Sequence, residues 1–209
     1  MSAAADTPAR PPARTRILDA AHELMLGVGM ARTTTKEIAR AADCSEAALY
    51  KHFTGKEDLF VAVLAERLPR LGPLMAELAR EPGVGSVEDN LTGIVRTAAL
   101  FYEQSFPIAA SLYAETHLKR RHESALREVG AGPHLPIDGL AAYLLAEQRG
   151  GRVRADADPY TAAALLMGAC CQRAFAYDAT ESGASPQSLD TFARTAARTV
   201  LTGLAPTPG

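Results

Sequence analysis

The segment SEAALYKHF, residues 45–53, places small side chains at its start and hydrogen-bond donors at its end. Glu46 and Ala47 follow a serine that can cap a helix, and a tyrosine, a lysine and a histidine follow one another at 50–52. Small side chains let a helix approach base edges in the DNA major groove, where a glutamate can accept from a cytosine amine and an alanine can contact a thymine methyl. The later donors suit phosphate oxygens. These residues predict a short helix that reads DNA.

The residues before this segment predict the elements that position it. An apolar repeat at helical spacing begins near Ile17 and ends at Gly-Val-Gly, 27–29. TTTKEIARAA follows, with Thr34 as N-cap and Glu37 three residues later, which is the pattern of a capping box. Two short helices joined by a tight turn, after a first helix, are typical of a helix-turn-helix domain.

The turn itself is Ala-Asp-Cys-Ser, 42–45. Asp43 tolerates a left-handed backbone, Cys44 is a small apolar plug, and Ser45 caps the next helix. Leu49 and Phe53 are four residues apart, so we expect them to pack against the preceding helices. Their burial leaves the polar residues of the segment on the outer side.

The remaining chain also reads as helix, with no alternating strand pattern and no internal repeat, so the predicted fold class is all-α. The expected helices are one at 56–68 with a bend at Pro69 or at Leu71-Gly-Pro, one capped by Ser86, one starting at Phe106-Pro107 with a break near 118–122, one at 137–149, one starting at Asp158-Pro159, and a last one after Ser185-Pro186. The predicted division is a flexible N-terminal arm at 1–13, a helix-turn-helix domain at 14–55, and a larger helical domain at 56–209.

The segment TTTKEIARAADCSEAALYKHFTGKEDLF, 33–60, resembles the DNA-binding domain of the TetR family of bacterial transcriptional regulators. Asp43 and Cys44 depart from the glycine and valine that are usual in that family's turn. The resemblance implies phosphate contacts from Thr34, Tyr50, His52 and Lys56, and base contacts from Thr35, Glu46, Ala47 and Lys51. With the capping serine, the candidate DNA-binding residues are Thr34, Thr35, Ser45, Glu46, Ala47, Tyr50, Lys51, His52 and Lys56. Arg10, Arg14 and Arg16 are expected to form either an arm into the adjacent groove or a solvated tail.

The resemblance assigns dimerisation and ligand sensing to the larger domain. A homodimer with two-fold symmetry implies a palindromic operator. TAAALLMGACC, 161–171, is apolar on nearly every side, which fits either a dimer interface or the central core helix of a monomer. The candidate interface residues are Leu166, Cys170, Phe192, Ala196 and Val200. The candidate ligand-binding residues, which suit a small hydrophobic effector, are Phe101, Tyr102, Phe106, Tyr113, His117, Tyr143, Met167 and Phe175.

Composition narrows the remaining function classes. The formal charge is −2 overall, whereas residues 1–56 carry eight Lys/Arg and six acids, a formal +2 that weakly favours nucleic acid as partner. Three cysteines, two of them adjacent, argue against a disulfide framework and for a reducing cytoplasm. The longest uncharged apolar run is too short to span a bilayer, so the protein is predicted to be soluble and cytoplasmic, with no membrane partner. Catalytic, cofactor and metal-binding motifs are lacking, so no enzyme, no cofactor and no metal site is predicted.

Two other hypotheses about the function are also compatible with the sequence. The helix-turn-helix can contact protein rather than DNA, as a helical interaction module, and the vicinal Cys170 and Cys171 can form a thiol-based sensor. The leading prediction is a ligand-responsive homodimeric repressor.

Overall fold

The computed structural model describes residues 10–114, 116–128, 130–176 and 187–204, and within these ranges the regular structure is helical. The all-α prediction is therefore confirmed. The helices are α1 (Ala13–Arg32), α2 (Thr35–Ala41), α3 (Glu46–Leu49), α4 (Lys56–Glu66), α5 (Leu71–Arg80), α6 (Val87–Ala114), α7 (Thr116–Glu128), α8 (Leu135–Arg149), α9 (Pro159–Ala176) and α10 (Leu189–Leu204). None of the described helices is long and apolar enough to cross a membrane.

The helix-turn-helix is present, and its local signals act as expected. α1 is interrupted at Gly29, whose φ of 78° leaves the helical region, where the sequence predicts the end of the first helix. Thr34 accepts from the Glu37 amide while the Glu37 side chain accepts from the Thr34 amide, so the capping box forms. Asp43 has a left-handed φ of 50° in the turn, and Ser45 caps α3 by accepting from the Ala48 amide.

α3 is held against α1 and α2 by its apolar side. Leu49 is fully buried and Phe53 is 3% exposed, and both belong to one core cluster with Ile38 and the apolar residues of α1. An isolated helix of four residues has no stability of its own in water, so this packing determines where α3 lies. The burial predicted for the two side chains is confirmed.

The region after α4 differs from the prediction. α4 ends at Glu66 rather than at 68, and Leu71-Gly-Pro begins a further helix, α5, instead of forming a simple break. Pro73 occupies the third residue of α5, where the missing amide is one of the four that a helix leaves without an internal acceptor. The sequence alone does not distinguish a proline in the first turn of a helix from a proline that ends one, which is why a bend is predicted here.

The helix start predicted at Phe106-Pro107 is wrong. α6 runs from Val87 to Ala114 with Pro107 inside it. The helix continues through the proline because its two sides are packed against different cores: Phe101 and Ile108 join the N-terminal cluster, whereas Tyr102 joins the cluster of the larger domain. α6 is therefore the element that both cores share.

The helix starts around α9 and α10 are partly as predicted. Asp158 caps α9 by accepting from the Thr161 amide at 2.6 Å, and Pro159 is the first residue of that helix. The cap of α10 is Ser188, which accepts from the Thr191 amide at 3.2 Å, whereas the predicted Ser185-Pro186 lies outside the described residues. The larger domain buries its core among α5, α6, α8, α9 and α10.

The basic residues near the N-terminus contact the helix-turn-helix itself. Arg16 donates through Nε to the Ala42 carbonyl at 3.0 Å, and Arg10 forms an ion pair with Asp43. Arg14 donates to both carboxylate oxygens of Glu66, at 2.5 and 2.8 Å, and this hydrogen-bonded pair lowers the pKa of Glu66. The prediction of an arm or a solvated tail is therefore wrong for Arg14 and Arg16, which belong to α1 and have partners on the folded domain. Residues 1–9 of the arm predicted at 1–13 lie outside the described residues.

Candidate nucleic-acid interface

The nine candidate DNA-binding residues lie at the start of α2, along α3 and its following turn, and at the start of α4. Seven of them are exposed, and the other two, Thr35 and Lys56, are half-buried. Tyr50 retains 52% of its surface although it follows the fully buried Leu49 directly. The structure thus separates a buried side of α3 from a polar outer side, as the spacing of the apolar residues predicts.

Three of these side chains are joined by hydrogen bonds. The Thr35 hydroxyl donates to Oε1 of Glu46 at 2.9 Å, and its oxygen lies 3.2 Å from the Tyr50 hydroxyl. Because the single proton of Thr35 goes to the carboxylate, Tyr50 is the donor in the second bond. The resulting chain, Tyr50 to Thr35 to Glu46, links α2 to α3 across the turn. Sequence spacing gave no sign of it, since Thr35 and Glu46 are eleven positions apart on separate helices.

Two candidate phosphate ligands also have partners within the protein. The Lys56 ammonium donates to the Ala31 carbonyl at 3.2 Å, near the end of α1, and the Thr34 hydroxyl donates to the Glu37 carboxylate at 2.7 Å. An ammonium has three protons, so this bond fixes the position of Lys56 and leaves donors for a further acceptor. Both residues therefore have a scaffold contact in addition to the role that the resemblance implies.

Arg16 is a positioning residue that the sequence analysis does not identify. Its guanidinium donates to the carbonyls of Ala42 and Asp43, where α2 ends and the turn begins. These bonds provide donors for carbonyl groups that the helix end leaves without internal partners. This role of Arg16 could not be predicted from the neighbouring sequence, because the carbonyl groups that it bonds are 26 and 27 residues away in the chain.

α4 contacts α7 at a junction between the helix-turn-helix and the larger domain. Arg121 donates to the Glu57 carboxylate at 3.1 Å, and the His122 ring lies 4.7 Å from the Phe60 ring. Beside this junction is an open cleft of about 410 Å³. It is lined by Thr54, Gly55, Glu57, Asp58, Val61, Arg121, Ser124, Ala125 and Glu128. None of the eight candidate ligand-binding residues is among them.

The His122 ring makes this junction sensitive to pH. Burial lowers its pKa, against the opposing charges of Glu123 and Glu57, and no described residue forms a hydrogen bond with Nδ1. With the folded pKa below the unfolded value of about 6.5, the unfolded chain binds more protons as pH falls through that value. The stabilisation is therefore complete above about pH 6.5 and is lost as the solution becomes more acidic.

We expect His122→Gln to make the loss of stability between about pH 7 and pH 5 shallower than in the wild type. His22, whose pKa burial also lowers, accounts for a part that remains. The measurement is the midpoint of urea denaturation at several pH values, with unfolding monitored by circular dichroism. His117→Gln, at an exposed position on the same helix, is the matched control. Identical pH profiles for His122→Gln and the wild type would contradict this role.

The seven ligand-binding candidates whose side chains are described lie in different parts of the fold rather than around one described cavity. Tyr102 and Phe106 are half-buried, and the Phe106 and Phe175 rings are 5.7 Å apart. His117 is exposed and Phe175 is 65% exposed, so the prediction that these two line an enclosed apolar cavity is wrong for the described chain.

The other candidates belong to the cores. Tyr143 and Met167 are buried core residues, Phe101 packs against the N-terminal core, and the Tyr113 side chain lies outside the described residues. Tyr143 also accepts from Asn90 at 3.0 Å, and burial raises its pKa to about 12.

Two of the five dimer-interface candidates point into the monomer. Leu166 is 1% exposed and Cys170 is fully buried, because their side of α9 faces α6 and α8. The prediction is therefore wrong for these two residues, which a partner chain cannot reach. Phe192, Ala196 and Val200 are half-buried on α10. The outer side of α9 instead presents Tyr160, Leu165 and Phe175, with 53, 62 and 65% of their surfaces exposed.

The vicinal thiols have different environments. Cys170 donates to the Val95 carbonyl at 3.6 Å, and burial raises its pKa to about 12. A thiol held in this protonated form is a poor nucleophile. Cys171 is half-buried, and the described residues contain no cluster of His, Cys, Asp and Glu suited to a metal ion.

Comparison with known proteins agrees with this geometry. Residues 17–63 match the sequence profile of the bacterial regulatory proteins of the tetR family. An uncharacterized HTH-type transcriptional regulator of Bacillus subtilis (strain 168), YvkB, is 39% identical over 66 residues, which is 32% of this chain and 35% of YvkB. The chain thus spans about a third of the length of this relative.

Solved structures extend the likeness to the whole fold. A Mesorhizobium loti MAFF303099 protein assigned to the TetR family of transcriptional regulators is 22% identical, with a TM-score of 0.69 over 92% of this chain and 96% of the other. The transcriptional regulator FadR of Bacillus subtilis, in complex with stearoyl-CoA, is 16% identical, with a TM-score of 0.67 over 91% of this chain and 98% of FadR. At these identities the likeness shows a shared fold.

Proposed function

We propose that this chain, whose residues 17–63 match the TetR family of bacterial transcriptional regulators, is a homodimeric repressor that binds a palindromic operator and is released by a small hydrophobic molecule. The observation that carries the proposal is the two-sided α3. Its buried Leu49 fixes the helix on the domain, while Glu46, Ala47 and Tyr50 remain exposed beside donors on the following turn. This is the arrangement that a helix needs to read base edges while its flanks contact phosphates.

The division of the chain follows from the same arrangement. We assign DNA binding to 14–55 and ligand sensing and dimerisation to 56–209, with the protein acting in the cytoplasm where the chromosome lies. The core of the N-terminal domain also includes Leu59, Phe60 and Val63 of α4. The proposed boundary at 56 is therefore a division between two functions, and it does not coincide with a division between two cores.

Dimerisation is assigned to the outer faces of α9 and α10. Leu165 and Phe175, on the outer side of α9, together with the half-buried Phe192, Ala196 and Val200 of α10, form the proposed surface. Large apolar side chains at this exposure are more often interface than free surface when they are grouped. A two-fold pairing through this surface presents two α3 helices, and a palindromic operator follows from that symmetry.

Release by a ligand requires coupling between the two parts of the chain. α6 belongs to both cores, and α4 contacts α7 through Glu57–Arg121 and Phe60–His122, so a shift of α6 or α7 moves α4 and the helix-turn-helix with it. A ligand shifts this equilibrium only by its preference for one of the two states, and a nearly complete switch needs about 5.5 kcal/mol. The complex of FadR with stearoyl-CoA supports compounds with a long acyl chain as the first effector class to screen.

The test of DNA binding is a salt titration on duplex DNA from the region upstream of the protein's own coding sequence. We expect saturable binding to a palindromic segment that weakens steeply with salt. Lys56→Ala removes, from each subunit of the proposed dimer, an ammonium that the resemblance places on a phosphate. Affinity should fall for specific and random DNA alike, and the slope of log K against log salt should decrease by about two.

Lys119→Ala, which removes the same charge from α7 in the larger domain, is the matched control and should leave the slope unchanged. Equal slopes for the wild type and both variants would remove Lys56 from the interface. Weak binding of the wild type to every duplex, with no preferred sequence, would contradict the proposed function itself.

A further inference from the structure

We infer that Glu46 selects a cytosine in each operator half-site and that Thr35 is the positioning residue that aims its carboxylate. The inference rests on the proposed function and adds the base that this site prefers. The starting observation is the hydrogen-bond chain from Tyr50 through Thr35 to Glu46, which crosses from α3 to α2 and back on the exposed side of the domain.

The geometry limits what the Glu46 carboxylate can do. Oε1 accepts the Thr35 proton at 2.9 Å, whereas no described residue donates to Oε2 and no described cation pairs with the group. One oxygen therefore holds the side chain in place and the other remains as an acceptor on the outer side of α3. An ionised carboxylate only accepts, so its DNA partner must be a donor.

The major groove offers few donors of this kind. Cytosine presents its N4 amine, whereas guanine presents the N7 and O6 acceptors and thymine presents the O4 acceptor, each of which repels a carboxylate. Adenine has an N6 amine but places the N7 acceptor beside it, where a second carboxylate oxygen is repelled. A positioned glutamate near the negatively charged backbone is therefore favourable chiefly opposite cytosine.

The role of Thr35 follows from the freedom of the side chain that it holds. A glutamate on an exposed helix surface has several rotamers, and ordering it for one contact costs conformational entropy. The bond from Thr35, itself accepting from Tyr50, selects one of these arrangements before DNA arrives. The Tyr50 hydroxyl donates its proton to Thr35 in this arrangement. Tyr50 therefore contributes to base selection indirectly, by holding Thr35 in the position from which it bonds Glu46.

The experiment is selection from a library of random DNA duplexes with the wild type, Glu46→Gln, Thr35→Val and Thr35→Ser. We expect the wild type to enrich a motif with cytosine at one position of each half-site. Glu46→Gln should change that position to adenine, because a glutamine amide pairs with adenine N6 and N7. Replacing this one C·G pair by T·A should weaken wild-type binding at least about fivefold.

The Thr35 variants test whether Thr35 positions Glu46. The quantity measured is base discrimination at one operator position, which a general loss of folding would not change selectively. Thr35→Val should reduce the discrimination between C·G and T·A at this one position while the rest of the motif stays, and Thr35→Ser, which keeps the hydroxyl, should retain it. Because Glu46 is exposed, Thr35 is only half-buried and neither belongs to a core cluster, far-ultraviolet circular dichroism should be the same for all four proteins.

The outcomes separate this inference from the proposed function. An enriched motif that is the same for the wild type and Glu46→Gln overturns the role of Glu46 and leaves the regulator standing. Equal discrimination by Thr35→Val and the wild type overturns the role of Thr35. A wild type that enriches no sequence overturns the proposed function and this inference with it.

Discussion

Replacing Leu49 with alanine is expected to lower the free energy of unfolding by about 2–5 kcal/mol. The side chain is fully buried in the core cluster of the N-terminal domain, so its truncation leaves a cavity as well as losing apolar contact. α3 has four residues and relies on this packing for its position. The same substitution should therefore also weaken DNA binding, because the outer side of α3 is no longer presented in one arrangement.

The measurement is urea denaturation followed by circular dichroism, at one protein concentration because association shifts apparent stability. Leu135→Ala is the matched control. It removes the same atoms from a leucine that is 43% exposed at the start of α8, and the expected change is within about 0.5 kcal/mol. A loss below about 1 kcal/mol for Leu49→Ala would show that α3 is held mainly by other contacts.

Replacing Glu147 with alanine is expected to destabilise the larger domain by about 3 kcal/mol. The Glu147 side chain is 1% exposed, accepts from the Gly83 amide at 3.2 Å, and lies 3.3 Å from the Arg152 guanidinium. Arg152 also donates to the Gly85 carbonyl at 2.5 Å, so the two side chains attach the turn at 83–85 to the end of α8. Truncation leaves the Gly83 amide without its acceptor and the largely buried Arg152 guanidinium without its counter-charge.

Two variants distinguish a buried network from an ordinary ion pair. Glu147→Gln keeps an acceptor for the Gly83 amide and loses the charge, so its effect should be intermediate. Glu88→Ala removes the carboxylate that pairs with Arg198 at the surface, where 36 and 67% of the two side chains are exposed, and should cost about 1 kcal/mol or less. Equal urea midpoints for Glu147→Ala and Glu88→Ala would show that the buried pair has no special weight.

The features that the sequence predicts well are those whose partners are close along the chain. The capping box of Thr34 and Glu37, the left-handed Asp43 and the cap at Ser45 involve contacts within three or four residues. Each is a local backbone requirement that particular residue types meet. The sides of α3 follow as well, since period 3.6 separates Leu49 and Phe53 from the exposed positions.

The predictions that were wrong concern contacts between residues that are far apart along the chain. Pro107 appears to start a helix, but packing on two cores keeps α6 continuous through it, and that packing involves residues far apart in the chain. Leu166 and Cys170 lie on a helix with apolar residues on most sides, so its composition does not tell which side meets the monomer core. The partners of Arg14 and Arg16 are similarly distant in the chain.

By itself, the sequence determined the all-helical fold, the helix-turn-helix with its caps and turn, and the outward residues of α3, because local hydrogen bonding and helical periodicity are properties of short segments. Only the tertiary structure decided which side of α9 is buried, that α6 joins the two cores, and that Thr35 of α2 holds Glu46 of α3. Those relations depend on side chains that meet in space after folding, and a linear pattern carries no record of such distances.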